Sequence, residues 1–139
     1  MASVLLIDDN DPLRELMSLA LAREGHQVWN ASNSKDGIDL LRQHTIDLLI
    51  TDIVMPDKDG LETMQLARKV RPDLRVIVIS GDSPRHAPLY LGIASKLGAN
   101  KTLMKPFAIT TLHAAVNELC PPAQTPPPVP PDQSPSPAA

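Results

Sequence analysis

The sequence holds a single cysteine, Cys120, and only three aromatic side chains, Trp29, Tyr90 and Phe107. One cysteine excludes an internal disulfide and any cluster of thiolates able to hold zinc or iron, and it suits a reducing compartment. Scarce aromatics exclude a stacking platform for nucleobases and leave the core to Val, Ile, Leu, Met and Ala. A surplus of one sign of charge is also missing: 13 basic residues face 16 acidic ones, a net charge of -3. That balance gives no electrostatic footprint for nucleic acid or an anionic membrane, and neither is expected as a partner. Long hydrophobic runs are absent as well. The apolar opening of MASVLLIDDN stops at Asp8 and has no basic flank, so it reads as neither signal peptide nor membrane span, and a cytoplasmic protein is expected.

Proline is plentiful, and most of it lies in one place. The last twenty residues, CPPAQTPPPVPPDQSPSPAA, hold nine of the fifteen prolines and almost no large apolar side chain. They cannot build a core, and they favour solvated polyproline II as a tail, spacer or linker. Residues 1–119 are therefore read as one folded domain, and 120–139 as a proline-rich disordered tail or linker.

Within the domain, short apolar runs alternate with stretches of helical period. Val4 to Ile7 reads as a strand. A helix from Pro12 to Glu24 follows, capped by Asn10 or Asp11 and closed by Gly25. His26 to Trp29 is a weak strand, Lys35 to Gln43 a helix that Ser34 can cap, and Ile46 to Ile50 a buried strand. Leu61 to Val70 is helical, with Gly60 giving the turn before it and Asp57 and Asp59 in a polar loop. Leu74 to Ile79, apolar and largely β-branched apart from Arg75, reads as a central parallel strand. A helix within Pro84 to Leu97, a strand at Lys101 to Met104 and a helix at Ile109 to Leu119 complete the series. Five strands alternating with five helices predict an α/β fold, a doubly wound parallel sheet with helices on both faces.

Functional residues of such sheets gather at the carboxyl ends of strands, beside the point where strand order reverses. Those ends carry Asp8 and Asp9, Asp52, Ser80 and Lys105. Two unit charges about 4 Å apart repel by roughly 4 kcal/mol at an effective dielectric near 20. Converging carboxylates therefore call for a hard cation with oxygen ligands, Mg2+ being the natural candidate. A carboxylate nucleophile, a metal, a lysine for charge and the Ser80 hydroxyl as donor together describe a site that holds a phosphoryl group. Each residue alone has a plainer reading: Asp8 and Asp9 as helix caps, Asp52 as a turn former, Ser80-Gly81 as a loop, Lys105 as a solvated lysine. Four separate strand ends supplying one coherent set is what points to chemistry. His26, His44, His86 and His113 have no metal-ligand spacing and no serine or cysteine partner motif, and are read as structural or exposed.

Over residues 1–119 the chain resembles the receiver domain of two-component response regulators. The resemblance rests on Leu-Leu-Ile-Asp8-Asp9-Asn10, on Asp52-Ile-Val-Met55-Pro56-Asp-Lys-Asp-Gly60, on Ser80-Gly81 and on Lys105-Pro106-Phe107. It implies the flavodoxin-like strand order 2-1-3-4-5. It further implies a phosphoacceptor at Asp52, supplied by a sensor histidine kinase or phosphotransfer protein. Asp9 and Asp52 would bind Mg2+ directly, Asp8 would assist through water, and the backbone carbonyl of Val54 would complete the ligands. Ser80 would move to bond the phosphoryl group, and the Lys105-Pro106 peptide would be cis.

The resemblance has departures. Thr102 stands where the family usually carries an aromatic that reports phosphorylation, so the response of the helix 4, strand 5 and helix 5 face is expected to run through backbone shifts with Tyr90. Val54 and Asp82 occupy the positions that tune phosphoryl lifetime. The expected activity is self-catalysed phosphotransfer and slow self-dephosphorylation, not turnover of a separate substrate. Output is expected through contacts with a downstream protein, with a homodimer through the helix 4, strand 5 and helix 5 face also open to the fold. Two other readings stand beside this one: a small phosphatase of the haloacid dehalogenase type with Asp9 as nucleophile, and a docking module that needs no phosphorylation.

Overall fold

The computed structural model describes residues 2–53, 59–81 and 87–120. The chain runs β1 (Ser3–Ile7), α1 (Asp11–Arg23), β2 (Gln27–Ala31), α2 (Ser34–Gln43), β3 (Leu48–Asp52), α3 (Gly60–Val70), β4 (Arg75–Ser80), α4 (Ala87–Lys96), β5 (Lys101–Met104) and α5 (Ile109–Leu119). The strands form one sheet in the order β2-β1-β3-β4-β5, and every pairing is parallel. This is the doubly wound architecture and strand order expected.

Alternation along the strands splits the core in two. Leu5, Ile7, Leu49, Val76 and Val78 point to one face, where Ile38 and Leu41 of α2, Met64 and Ala67 of α3 and Ala94 of α4 cover them. Val4, Leu6, Leu48, Ile50, Ile77 and Ile79 point to the other, under Met17 and Leu21 of α1 and Leu112, Ala115 and Val116 of α5. Burial of each Val, Leu, Ile or Met side chain among these contributes roughly 1.5–3 kcal/mol. Strands covered on both faces cannot alternate apolar and polar, hence the unbroken runs in the sequence.

The starts of α1, α2 and α3 are fixed by side-chain caps. Asn10 accepts the Leu13 N–H, with Pro12 in the first turn of α1, and Gly25 lies beyond its end at φ 91°. The cap of α2 is Asn33, not Ser34: Asn33 has extended φ and ψ and accepts the Asp36 N–H, which places Ser34 inside the helix. Buried there, the Ser34 hydroxyl accepts a hydrogen bond from Thr63 of α3 at 2.8 Å. Asp59 caps α3 through the Glu62 N–H, so Gly60 is the first residue of that helix and not a turn before it. β2 and β3 both lie further along the chain than expected. Asp52 is consequently the last residue of β3, in register with Ile79, instead of following the strand. Ile46, though wholly buried, precedes β3.

Candidate functional site

Strand order reverses between β1 and β3. β1 connects outward to β2, whereas β3 leads through β4 to β5 on the other side. Register then decides what meets there. Ile7 pairs with Thr51, so Asp8 and Asp52 emerge side by side. Ser80 closes β4 next to Met104, and the Lys105 N–H donates to the Ser80 carbonyl at 2.8 Å.

Carboxylate oxygens of Asp8, Asp9 and Asp52 lie within 4.8 Å of one another. Asp8 and Asp52 are buried, Asp9 exposed. The Lys105 ammonium is 3.4 Å from Asp8 Oδ2 and 3.5 Å from Asp52 Oδ2, and the Lys105-Pro106 peptide is cis. Asp8 Oδ1 accepts the Asn10 N–H at 2.9 Å, and Asp52 Oδ1 accepts the Ile53 N–H at 3.1 Å. Burial, and next the charge of Asp8, push the Asp52 carboxyl up to about 6, with Lys105 acting in the opposite direction. Among the described residues Asp8 Oδ2 and the fully buried Ser80 Oγ have no hydrogen-bond partner. Three converging carboxylates, one with a buried oxygen that accepts no hydrogen bond, are a donor set suited to a hard divalent cation.

Asp8, Asp9, Asp52 and Lys105 are thus brought together, and Ser80 is adjacent through the β3–β4 register. Val54, Asp57, Asp82, His86 and residues 121–139 lie outside the described residues, as does the side chain of Tyr90. Thr102 is partly buried on β5, opposite Val78. Of the remaining histidines, His26 is buried and accepts the Ala2 N–H through Nδ1 at 3.0 Å. His44 stacks on Trp29, with ring centroids 4.7 Å apart. His113 Nε2 lies 3.3 Å from the Ala20 carbonyl.

Three residues shape the site in ways the sequence did not disclose. A Cβ on Gly60 would fall 2.2 Å from the Asp52 carbonyl oxygen, and a Cβ on Gly81 would fall 2.2 Å from Lys105 Cβ. Both glycines are needed because another segment passes too close for a side chain. The Asp59-Gly60 and Ser80-Gly81 pairs marked turns, not close approaches. The third is Arg14, whose Nη1 donates to the Asp8 carbonyl at 2.7 Å. Only its spacing of three from Asp11, with which it forms an ion pair, was visible beforehand.

The fold and this cluster define a doubly wound α/β domain with an acidic site at its switch point. Residues 4–117 match the response regulator receiver domain family, and the chain belongs to it. It is 32% identical over 129 residues to the response regulator receiver protein CpdR of Brucella abortus, covering 86% of this chain and 94% of that protein. It is 36% identical over 129 residues to the DNA-binding transcriptional regulator NtrC of Azospirillum brasilense, covering 90% of this chain but about a quarter (26%) of that protein's length. The crystal structure of response regulator TrrA from Thermotoga maritima, in complex with Mg2+ and BeF, superposes with a TM-score of 0.74 at 28% identity, covering 86% of this chain and 99% of that one. Membership of the receiver family displaces the phosphatase alternative.

Proposed function

We propose that the chain is a phosphorylation-dependent signalling receiver in which Asp52 accepts a phosphoryl group from a histidine kinase or phosphotransfer protein. The observation that carries this reading is the Lys105 ammonium between Asp8 and Asp52, within a cluster of three carboxylates and beside a buried hydroxyl that has no hydrogen-bond partner among the described residues. An Asp52 carboxylate oxygen attacks phosphorus as the bond from phosphorus to the donor nitrogen breaks. Lys105 sets its positive charge against the transferred group, and Ser80 offers it a hydrogen bond. Asp8, Asp9 and Asp52, with the Val54 carbonyl, would hold Mg2+, which when bound supplies charge neutralisation for the phosphoryl oxygens. The TrrA complex with Mg2+ and BeF supports carrying this ligand chemistry over to the present chain.

Self-catalysed transfer and slow loss of the phosphoryl group complete the activity. Output runs through a downstream protein, and the exposed Leu89 and Ile93 of α4, Leu97 just beyond its end and Met104 of β5 favour the α4-β5-α5 face for it or for a homodimer. None of the described helices is long and apolar enough to cross a membrane. The cytoplasm is the proposed setting, on the strength of the cysteine usage. Incubation with Mg2+ and acetyl phosphate, followed by mass mapping, tests the central step: label is expected on Asp52. Undiminished labelling of Asp52→Asn would overturn it.

A further inference from the structure

The geometry points to Arg14 as a positioning residue that holds the Asp8–Asp9 peptide in the orientation the metal site needs. The inference rests on the proposed reading of Asp8, Asp9 and Asp52 as cation ligands.

Asp8 stands one residue beyond the last register pair of β1. Its N–H is still tied to the sheet through the Ala31 carbonyl at 3.2 Å, and its carboxylate takes the Asn10 N–H. Its own carbonyl is bonded by a side chain instead: Arg14 Nη1 donates to it at 2.7 Å, and the same nitrogen lies 2.7 Å from Asp11 Oδ1. The Arg14 side chain is only 14% exposed, whereas that of Asp11 is 65% exposed. The guanidinium is therefore tucked under the β1–α1 turn and not extended over the helix surface.

The Asp8 carbonyl and the Asp9 N–H belong to one planar peptide unit. Gripping the carbonyl fixes that plane, and with it the direction in which Asp9 leaves the strand end. Asp9 is exposed, so packing constrains it little, yet its carboxylate must meet two buried partners within 4.8 Å. Arg14 supplies the missing constraint. The sign of its effect separates this role from its charge. A cation beside a divalent-cation site repels the ion, so by charge alone loss of Arg14 would tighten Mg2+ binding. As a positioning group, its loss weakens binding.

The test is Mg2+ titration of the full chain by isothermal calorimetry and by Mg2+-dependent thermal shift, comparing wild type, Arg14→Met, Arg14→Lys and Asp9→Asn. Arg14→Met removes the donors and keeps the stem, and a Kd about 10-fold weaker is expected, as for other groups that orient metal ligands. Arg14→Lys keeps the charge and its pairing with Asp11 but leaves the Asp8 carbonyl, so it too should bind Mg2+ more weakly than wild type. It decides the matter should Arg14→Met fail to fold. Wild-type or tighter affinity in the Arg14 variants overturns the proposal. A wild-type protein that takes no Mg2+, or an Asp9→Asn variant that binds as tightly as wild type, overturns the metal reading itself, and this inference with it.

Discussion

Gly60 meets Asp52 backbone to backbone. The Gly60 N–H donates to the Ile53 carbonyl at 2.6 Å, and a methyl group on Gly60 would fall 2.2 Å from the Asp52 carbonyl oxygen. Backbone cannot swing aside as a side-chain tip can. Gly60→Ala should therefore move the Asp52–Ile53 segment, lowering stability by roughly 1–3 kcal/mol. Acetyl phosphate labelling of Asp52 should slow about 10-fold or more, since small displacements of a reacting group are costly. Denaturant unfolding and a labelling time course check both, and labelling at the wild-type rate would count against the close approach.

Asp52 gives the metal-free fold a distinctive pH dependence. Its carboxyl is raised from 3.8 to about 6, chiefly by burial. A raised value in the folded state means that its contribution to stability is fully present below 3.8 and is lost as pH rises through about 6. That displacement corresponds to up to about 3 kcal/mol. In EDTA, Asp52→Asn should exceed wild type by about 1–3 kcal/mol at pH 8 and converge with it toward pH 4. Parallel stability curves for the two proteins would contradict the assignment.

Ser80 carries a fully buried hydroxyl with no hydrogen-bond partner among the described residues. Such a group is a liability until something bonds to it. Ser80→Ala should leave the unphosphorylated protein as stable as wild type, or more stable by about 1 kcal/mol, while lowering the yield of phosphorylated Asp52. Loss of stability together with unchanged labelling would reverse the role given to Ser80.

His26 acts in the opposite sense to Asp52. Burial holds its imidazole below 6.5, and Nδ1 must be unprotonated to accept the Ala2 N–H. A lowered value in the folded state makes its contribution fully present above 6.5 and progressively lost as pH falls below it. His26→Gln should flatten the stability curve between pH 7 and 5. Measuring it in an Asp52→Asn background removes the opposing titration.

How much of this could be read from the sequence follows from where the information sits. Val4 to Ile7 and Leu74 to Ile79 carry their strand character in their own side chains, and a polar residue ends each run, so the sheet and the position of the site were legible, whereas the strand order came from the family resemblance. Asn33 and Ser34 are both good caps, and only the extended φ and ψ of Asn33 settle which one is used. Gly60, Gly81 and Arg14 depend on what another segment brings alongside. No local pattern encodes that Lys105 passes over Gly81, or that the Asp8 carbonyl lies within reach of a guanidinium one turn into α1.

The shared lysine has one more implication. Lys105 balances two carboxylates at nearly equal distances, its stem lies against Gly81 with no room for a methyl group, and its backbone N–H is tied to Ser80. The residue that faces both carboxylates is thus also the one whose backbone joins the end of β5 to the end of β4.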